Sequence, residues 1–454
     1  MFWIDTHIAL VVVATLALFA AIVVIQQRRT PQSAVAWVLF IALLPYVALP
    51  IFLALGFRKR GSRFPPIRFS ANKDGVRPVG YDIAHVFTAF GLPAATSENR
   101  FTLHETGEDA YADLFGAIEG ATERLDVIFY LLADDPIGER FVRALARKAQ
   151  EGVRVRLILD RLGALKRPRA ALRDFSEAGG RLRYFSPFLH APDNGHMNLR
   201  NHRKMVIADG ATVFAGGRNV GQEYLGPDPS PDRWVDLSFL VEGPVVQSFL
   251  DVYDSDWDAT GKTAREPSRD AAGDGGGSCV SQFVPSGPDM RDDALHDTLL
   301  NAIHTSRRRV WIATPYFLPT EQLSRALTIA ARRGIDVRLL VPVRSNQRMA
   351  DFARGAYLRN LWQDGCRVLL YRLGMMHAKM GVIDDCAWVG SANFDVRSML
   401  LNFETALFLY DPDCVGRLAD WFEARQRDCD EGIAEAGLAR RVTEGLFRLG
   451  APML

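Results

Sequence analysis

The chemistry-bearing residues of this chain recur as two matching sets. His202-Arg203-Lys204 runs through Met205-Val206-Ile207-Ala208 to Asp209, and Gly216-Gly217-Arg218-Asn219 follows. His377-Ala378-Lys379 runs through Met380-Gly381-Val382-Ile383 to Asp384, and Gly390-Ser391-Ala392-Asn393 follows. The pattern HxKxxxxD is thus present twice, each copy trailed by Gly-(Gly/Ser)-x-Asn. A histidine near a lysine is ordinarily just surface. Two copies at matching places in a repeat point to catalysis.

The apolar run Met205 to Ala208 reads as a strand, and Asp209-Gly210 as a hairpin turn. Positions i and i+2 of a strand share a face. His202 and Lys204 therefore project together, as do His377 and Lys379. The candidate catalytic set is His202, Lys204, Asp209, His377, Lys379 and Asp384. Within it the two aspartates sit at an odd offset and are expected to scaffold the turn, not to act as acids.

The small pairs Gly216-Gly217 and Gly390-Ser391 allow close approach of the return strand. Asn219 and Asn393 can then donate beside the lysines as substrate-binding groups. Two lysines, two histidines and two asparagines converging on one point suit a tetrahedral anion, a phosphodiester above all. The expectation is no metal and no cofactor. A histidine nucleophile needs a carboxylate on its far nitrogen. Each half supplies one candidate: Asp236 is expected to orient His202, and Glu404 to orient His377. Glu223 reads as an ordinary loop acid.

These motifs need a scaffold in which they can meet. Helical Ala110 to Ala121, strand Leu125 to Leu132, helix Glu139 to Ala149 and strand Val153 to Asp160 form one series. Val310 to Ala313, helix Glu321 to Arg332 and strand Asp336 to Val341 repeat its order. Alternation of this kind indicates α/β units. Between the series, 265–279 carries Gly273, Gly275, Gly276 and Gly277 and reads as a flexible linker. The domains are then 100–264 and 280–454.

At 454 residues with ordinary apolar and charged fractions, the chain can build several cores. A net charge of +1 gives no general pull toward nucleic acid. Cys279, Cys366, Cys386, Cys414 and Cys429 form no CxxC pair, which disfavours a zinc site or a disulfide framework. Ile8 to Ile25 and Ala34 to Phe57 are uncharged runs, and two membrane segments are expected in 1–60. Met1 to His7 lacks Lys and Arg, against a signal peptide. Pro45 and Pro50 allow a kinked or re-entrant second helix.

Arg58, Lys59, Arg60, Arg63 and Arg68 outnumber Arg28 and Arg29, which favours a cytoplasmic catalytic part. With Phe57, Phe64 and Phe69, the basic stretch 61–99 reads equally as an anionic-lipid interface or as a plain stop-transfer flank.

With these residues on view, the chain resembles the phospholipase D superfamily, and within it the bacterial cardiolipin synthases. Arg29 to Trp37 with Leu44-Pro45-Tyr46 looks like that family's membrane region. Gly217 to Tyr224, Thr314-Pro315-Tyr316-Phe317, Asp395-Val396-Arg397-Ser398 and Asn402-Phe403-Glu404 are similar to its motif surroundings. Val235 stands where the family often has Arg, and Gln222 where it often has Asp. The approach Gly374-Met375-Met376 is short and apolar.

The resemblance implies an α/β fold: two tandem phospholipase-D-like sandwich domains sharing one active site, behind two transmembrane helices. It implies a multi-pass enzyme of the bacterial inner membrane that acts on phosphatidylglycerol and makes cardiolipin and glycerol through a phosphatidyl-histidine. His202 is implied as nucleophile and His377 as acid and base. A hydrolytic phospholipase D or another phosphatidyltransferase is the alternative on the same scaffold. A nuclease suits the membrane runs and neutral charge poorly, and a noncatalytic relic would not keep both His-Lys pairs.

Overall fold

A computed structural model of the chain describes residues 2–26, 31–55, 64–70, 75–76, 78, 82–185, 199–261, 271 and 275–449. Three apolar helices open it: α1 (Phe2–Gln26), α2 (Pro31–Leu43) and α3 (Pro45–Leu55). They pack together around Ala20, Val24, Ile41, Ala48, Leu49 and Phe52. Their outward faces, including Leu18, Phe19, Leu39 and Tyr46, stay exposed.

The second expected span is not one helix. A residue before proline is pushed away from helical backbone, and proline suits the first position of a new helix. Leu44 accordingly separates α2 from α3, which begins at Pro45. At about 1.5 Å per residue, neither piece reaches across about 30 Å of hydrocarbon. Among the described residues no helix is long and apolar enough to cross a membrane. The side chains of residues 2–6 and of Ala9 in α1 lie outside the described set. So do Phe57, the cluster Arg58, Lys59, Arg60 and Arg63, and the pair Arg28 and Arg29.

Phe64 corrects the lipid-interface reading at its own position. It stacks on Phe185 at 5.5 Å and meets Phe403 edge-on at 4.9 Å, inside the protein. A short helix, α4 (Asp82–Ala89), then buries Ile83, Ala84 and Phe87 against the second repeat.

The first repeat contains β1 (Thr96–His104), α5 (Gly107–Gly120), β2 (Arg124–Phe129), α6 (Pro136–Gln150) and β3 (Arg154–Asp160). It continues with α7 (Arg169–Glu177), β4 (Arg181–Phe185), β5 (Met205–Ala208), β6 (Thr212–Gly216), β7 (Ser238–Glu242) and α8 (Val246–Ala259). The second repeat opens with β8 (Cys279–Ser286), α9 (Ala294–Thr305), β9 (Arg309–Ala313), β10 (Phe317–Leu318) and α10 (Glu321–Arg332). Next come β11 (Asp336–Pro342), α11 (Arg348–Gln363), β12 (Arg367–Tyr371), β13 (Met380–Ile383) and β14 (Cys386–Gly390). It closes with β15 (Phe394–Asp395), α12 (Val396–Leu400), β16 (Glu404–Leu409), α13 (Pro412–Gln426), β17 (Cys429–Glu431) and α14 (Leu438–Leu449).

The expected helices and strands are all present; fifteen strands of the two repeats join in one sheet, and β10 and β15 pair separately. Outward from its centre, one side runs β1-β7-β6-β5-β2-β3-β4 and the other β8-β16-β14-β13-β9-β11-β12, with β17 beyond. Corresponding strands stand at corresponding places. β1 and β8 pair antiparallel at the middle, Thr96 opposite Ser281 and Asn99 opposite Cys279. Strands β2 and β3 are parallel, as are β9 and β11, and their apolar runs are buried between helices on the two faces.

The Gly-rich segment is only partly what its composition suggests. Residues 262–270 and 272–274, including Gly273, lie outside the described set. Gly275 and Gly277 are fitted against the central strands. A Cβ there would stand 2.6 Å from the Glu242 carbonyl oxygen and 2.2 Å from that of Asn99.

Asp209 and Asp384 hold the turns that follow their strands. Both take left-handed backbone, φ 51° and 50°. The Asp209 carboxylate accepts from the amides of Thr122, Glu123 and Arg124, each at 2.8 Å. Asp384 accepts from those of Arg307, Arg308 and Arg309 at 2.8–3.1 Å. Burial opposes the Asp209 charge, but these amides hold its carboxyl below the usual range. Asp209→Ala should therefore cost on the order of 1–3 kcal/mol, read as a lower midpoint in urea, while the folded fraction keeps its turnover.

Candidate active site

Each motif histidine stands in extended backbone just before a buried strand, His202 ahead of β5 and His377 ahead of β13. What each segment pairs with decides the site. The His202 amide donates to the Phe403 carbonyl at 2.9 Å, and the Phe403 amide to the Arg200 carbonyl at 2.9 Å. The His377 amide donates to the Val235 carbonyl at 2.7 Å, and the Val235 amide to the Met375 carbonyl at 2.9 Å. Each histidine segment is thus bridged to the acid-bearing segment of the opposite repeat.

The carboxylates follow that exchange. Asp236 Oδ2 stands 2.5 Å from His377 Nδ1, and Glu404 Oε1 stands 3.2 Å from His202 Nδ1. The expected pairing within each half, Asp236 with His202 and Glu404 with His377, is therefore corrected. Each acid instead contacts the other repeat's histidine. Both pairs leave Nε2 as the nitrogen turned from the carboxylate.

The lysines are fixed by short local bonds. Lys204 Nζ donates to the His202 carbonyl at 2.6 Å. Lys379 Nζ bonds the His377 carbonyl, lies 2.6 Å from His377 Nδ1 and approaches Asp236 Oδ2 at 3.6 Å. Burial, only partly offset by Asp236, pulls Lys379 down to about 7, and burial also lowers Lys204. His377 is held down to about 4 by burial and by the Lys379 and Lys204 charges, against the pull of Asp236. Burial opposes ionisation of Asp236 and Glu404, yet both lie below the usual carboxylate range. Lys379 and His377 outweigh it at Asp236, and His202 and Lys204 at Glu404. Lys204 acts on His377 and Glu404 on Lys379, so groups of both repeats share one electrostatic site.

The asparagines are buried nearby. Asn219 accepts from the Leu131 amide at 3.3 Å and bonds the Tyr224 hydroxyl. Asn393 Oδ1 has no partner among the described residues. The small residues behave as their size implies. A Cβ on Gly216 would lie 2.6 Å from the Ser238 Cα, and one on Gly390 2.1 Å from the Thr405 carbonyl oxygen. A Cβ on Gly217 would press on Asp236 Oδ1 at 2.2 Å, whereas the Ser391 hydroxyl donates to Glu404 Oε2 at 2.6 Å. Glu223 is an exposed loop acid, as expected.

Sequence reasoning missed the aromatic wall. Tyr130 lies tilted at 4.1 Å from His202, and Trp234, Tyr224 and Tyr316 stand 5.2, 5.4 and 6.4 Å from His377, between ring centroids. Tyr130 and Tyr316 follow the equivalent strands β2 and β9, which flank β5 and β13 in the sheet. Arg203 was also passed over. Fully buried, it bonds Asp256 at 2.7 Å and Asp289 of the second repeat at 2.8 Å, and so ties the halves together beside the site.

Known proteins resemble this chain over most of its length. The family described as "Cardiolipin synthase, PLD-like domain" matches residues 114–257 and 299–426. The N-terminal family "Phospholipase_D-nuclease N-terminal" matches residues 15–56. A probable cardiolipin synthase of Bacillus subtilis is 30% identical, with 97% of this chain and 92% of that protein covered. Cardiolipin synthase 1 of Bacillus anthracis is 32% identical over 95% of this chain and 91% of its own. Among solved structures, a phosphatidylserine synthase of Haemophilus influenzae superposes with TM-score 0.60. At 14% identity over 82% of this chain and 98% of that one, it shows a shared fold.

Proposed function

The chain belongs to the bacterial cardiolipin synthases of the phospholipase D superfamily, and from that premise we propose that it joins two phosphatidylglycerol molecules into cardiolipin and glycerol. It is a phosphatidyltransferase. The observation that carries the chemistry is the pair of crossed histidine–carboxylate contacts, each beside a buried lysine, in one site.

His202 Nε2 attacks phosphorus, with Glu404 holding the proton on Nδ1 so that the attacking nitrogen keeps its lone pair. A phosphatidyl-histidine forms as the bond to the glycerol oxygen breaks. His377 gives that oxygen a proton, then takes one from the hydroxyl of the second phosphatidylglycerol, which displaces His202. Lys204 and Lys379 stabilise charge on the phosphoryl oxygens, and Asn219 and Asn393 line the same pocket. A bound phosphodiester anion offsets the lysine charges that hold down His377, so substrate binding itself raises the proton affinity of the acid. One phosphodiester replaces another, and the exchange needs no nucleotide.

Glycerol-labelled and acyl-labelled phosphatidylglycerol test this reading. Cardiolipin and free glycerol should appear in equal amounts; phosphatidic acid as the main lipid product would mark a hydrolase instead. The two buried lysines also supply the positive field that a metal would otherwise give. Turnover should accordingly persist in excess chelator, and a complete loss restored by one divalent metal would refute this.

The apolar helices α1, α2 and α3 are proposed as the membrane anchor. Their exposed aliphatic faces and the similarity of residues 15–56 to the N-terminal family support this. The proposed setting is the inner membrane, with α1, α2 and α3 as its anchoring helices and the repeats on the cytoplasmic side.

A further inference from the structure

Six exposed apolar side chains of the two-repeat body lie just beyond the C-terminal ends of its parallel strands or at the start of the helix that follows one of them. Leu162, Leu165, Val343, Met349, Phe352 and Leu373 are between 39 and 62% exposed. Leu162 and Leu165 follow β3, which ends at Asp160, and Val343 follows β11, which ends at Pro342. Leu373 follows β12, and Met349 and Phe352 sit in the first turns of α11. Because β3 and β11 are equivalent strands, the patch spans both repeats. It also adjoins the catalytic groups. Asp160 accepts from the Asn201 amide, next to His202, at 3.1 Å. Tyr316, beside His377, bonds Asn346 in the loop before α11.

Cations accompany these side chains. Arg161, Lys166, Arg169, Arg344 and Arg348 are intermixed with them and exposed, and have no carboxylate partner among the described residues. Asp134, Glu139 and Asp351 lie nearby; Glu139 is already held by Arg143, and Asp351 by Arg354 at 2.9 Å and by the Ser345 amide at 2.8 Å. Apolar side chains ringed by unpaired cations match the layered chemistry of an anionic bilayer, acyl chains beneath phosphate headgroups.

We propose that this rim is a bilayer-docking surface that seats the mouth of the active site on an anionic leaflet. The proposal rests on the phosphatidylglycerol reading above. With the rim seated, a lipid need only lift its headgroup to the histidines, and its acyl chains never leave the leaflet.

The test uses full-length enzyme reconstituted in vesicles and the variant Leu165→Glu/Met349→Glu/Leu373→Glu. Cardiolipin formation from bilayer phosphatidylglycerol should fall about tenfold or more. Turnover of dihexanoyl-phosphatidylglycerol supplied below its micelle concentration should stay within about twofold. Equal loss on both substrates, or no loss on either, overturns the docking surface. A readout free of turnover separates the two ideas. A dye on Leu373→Cys in a Cys429→Ser background should be quenched by brominated phosphatidylglycerol. No quenching overturns the rim even where cardiolipin is made. Quenching without cardiolipin supports the rim and overturns the transferase reading.

Discussion

His202→Ala and His377→Ala should each lower cardiolipin formation on the order of 10³-fold or more, and the double variant should be hardly worse than either single one. On the proposed mechanism both rings act in both half-reactions, so losing either stops the cycle. His202 is 20% exposed at its side chain and packs on Tyr130, and His377 is 8% exposed among Trp234, Tyr224 and Tyr316. Truncation at such positions costs some packing, so thermal midpoints should be measured alongside product formation. Near-normal cardiolipin from either folded single variant would mean that the repeats hold separate sites.

Glu404→Gln and Asp236→Asn should each cost about 10²–10⁴-fold, because an amide no longer fixes the tautomer of its histidine or stabilises the imidazolium. The crossed contacts assign the two losses to different steps. A phosphatidyl donor whose leaving group needs no proton bypasses the acid. With it, Asp236→Asn should still accumulate radiolabelled enzyme on His202, and Glu404→Gln should not. Label on His377, blocked now by Asp236→Asn, would keep the crossed pairing and exchange the roles of the rings. Label on His202 that survives Glu404→Gln but not Asp236→Asn would break the crossed pairing altogether.

Much of this site was legible in residue types and spacing. The repeated motif named both histidines and both lysines, the odd offset made Asp209 and Asp384 turn residues, and each acid followed from its place before a strand. The exchange of acids was not legible. It depends on which extended segments lie side by side across the interface, and pairing between repeats leaves no periodicity in either one. Tyr130 was hidden for a similar reason: a tyrosine ending an apolar run reads as core until the sheet order places that strand beside the motif. At the N-terminus, hydropathy reported a continuous run where Pro45 divides the helix. Hydropathy averages over a window, whereas the break is a steric event at one residue.

The crossed carboxylates also bear on the repeat as a unit. One copy of the repeat holds a histidine and a lysine but cannot supply the acid for its own ring; that acid comes only from a neighbour turned end for end. A single copy wired in this way would lack the acid for its own ring, whereas two copies paired end for end would complete each other. The two copies are not identical at this point: Gly217 lies beneath Asp236, where the other repeat has Ser391 bonded to Glu404.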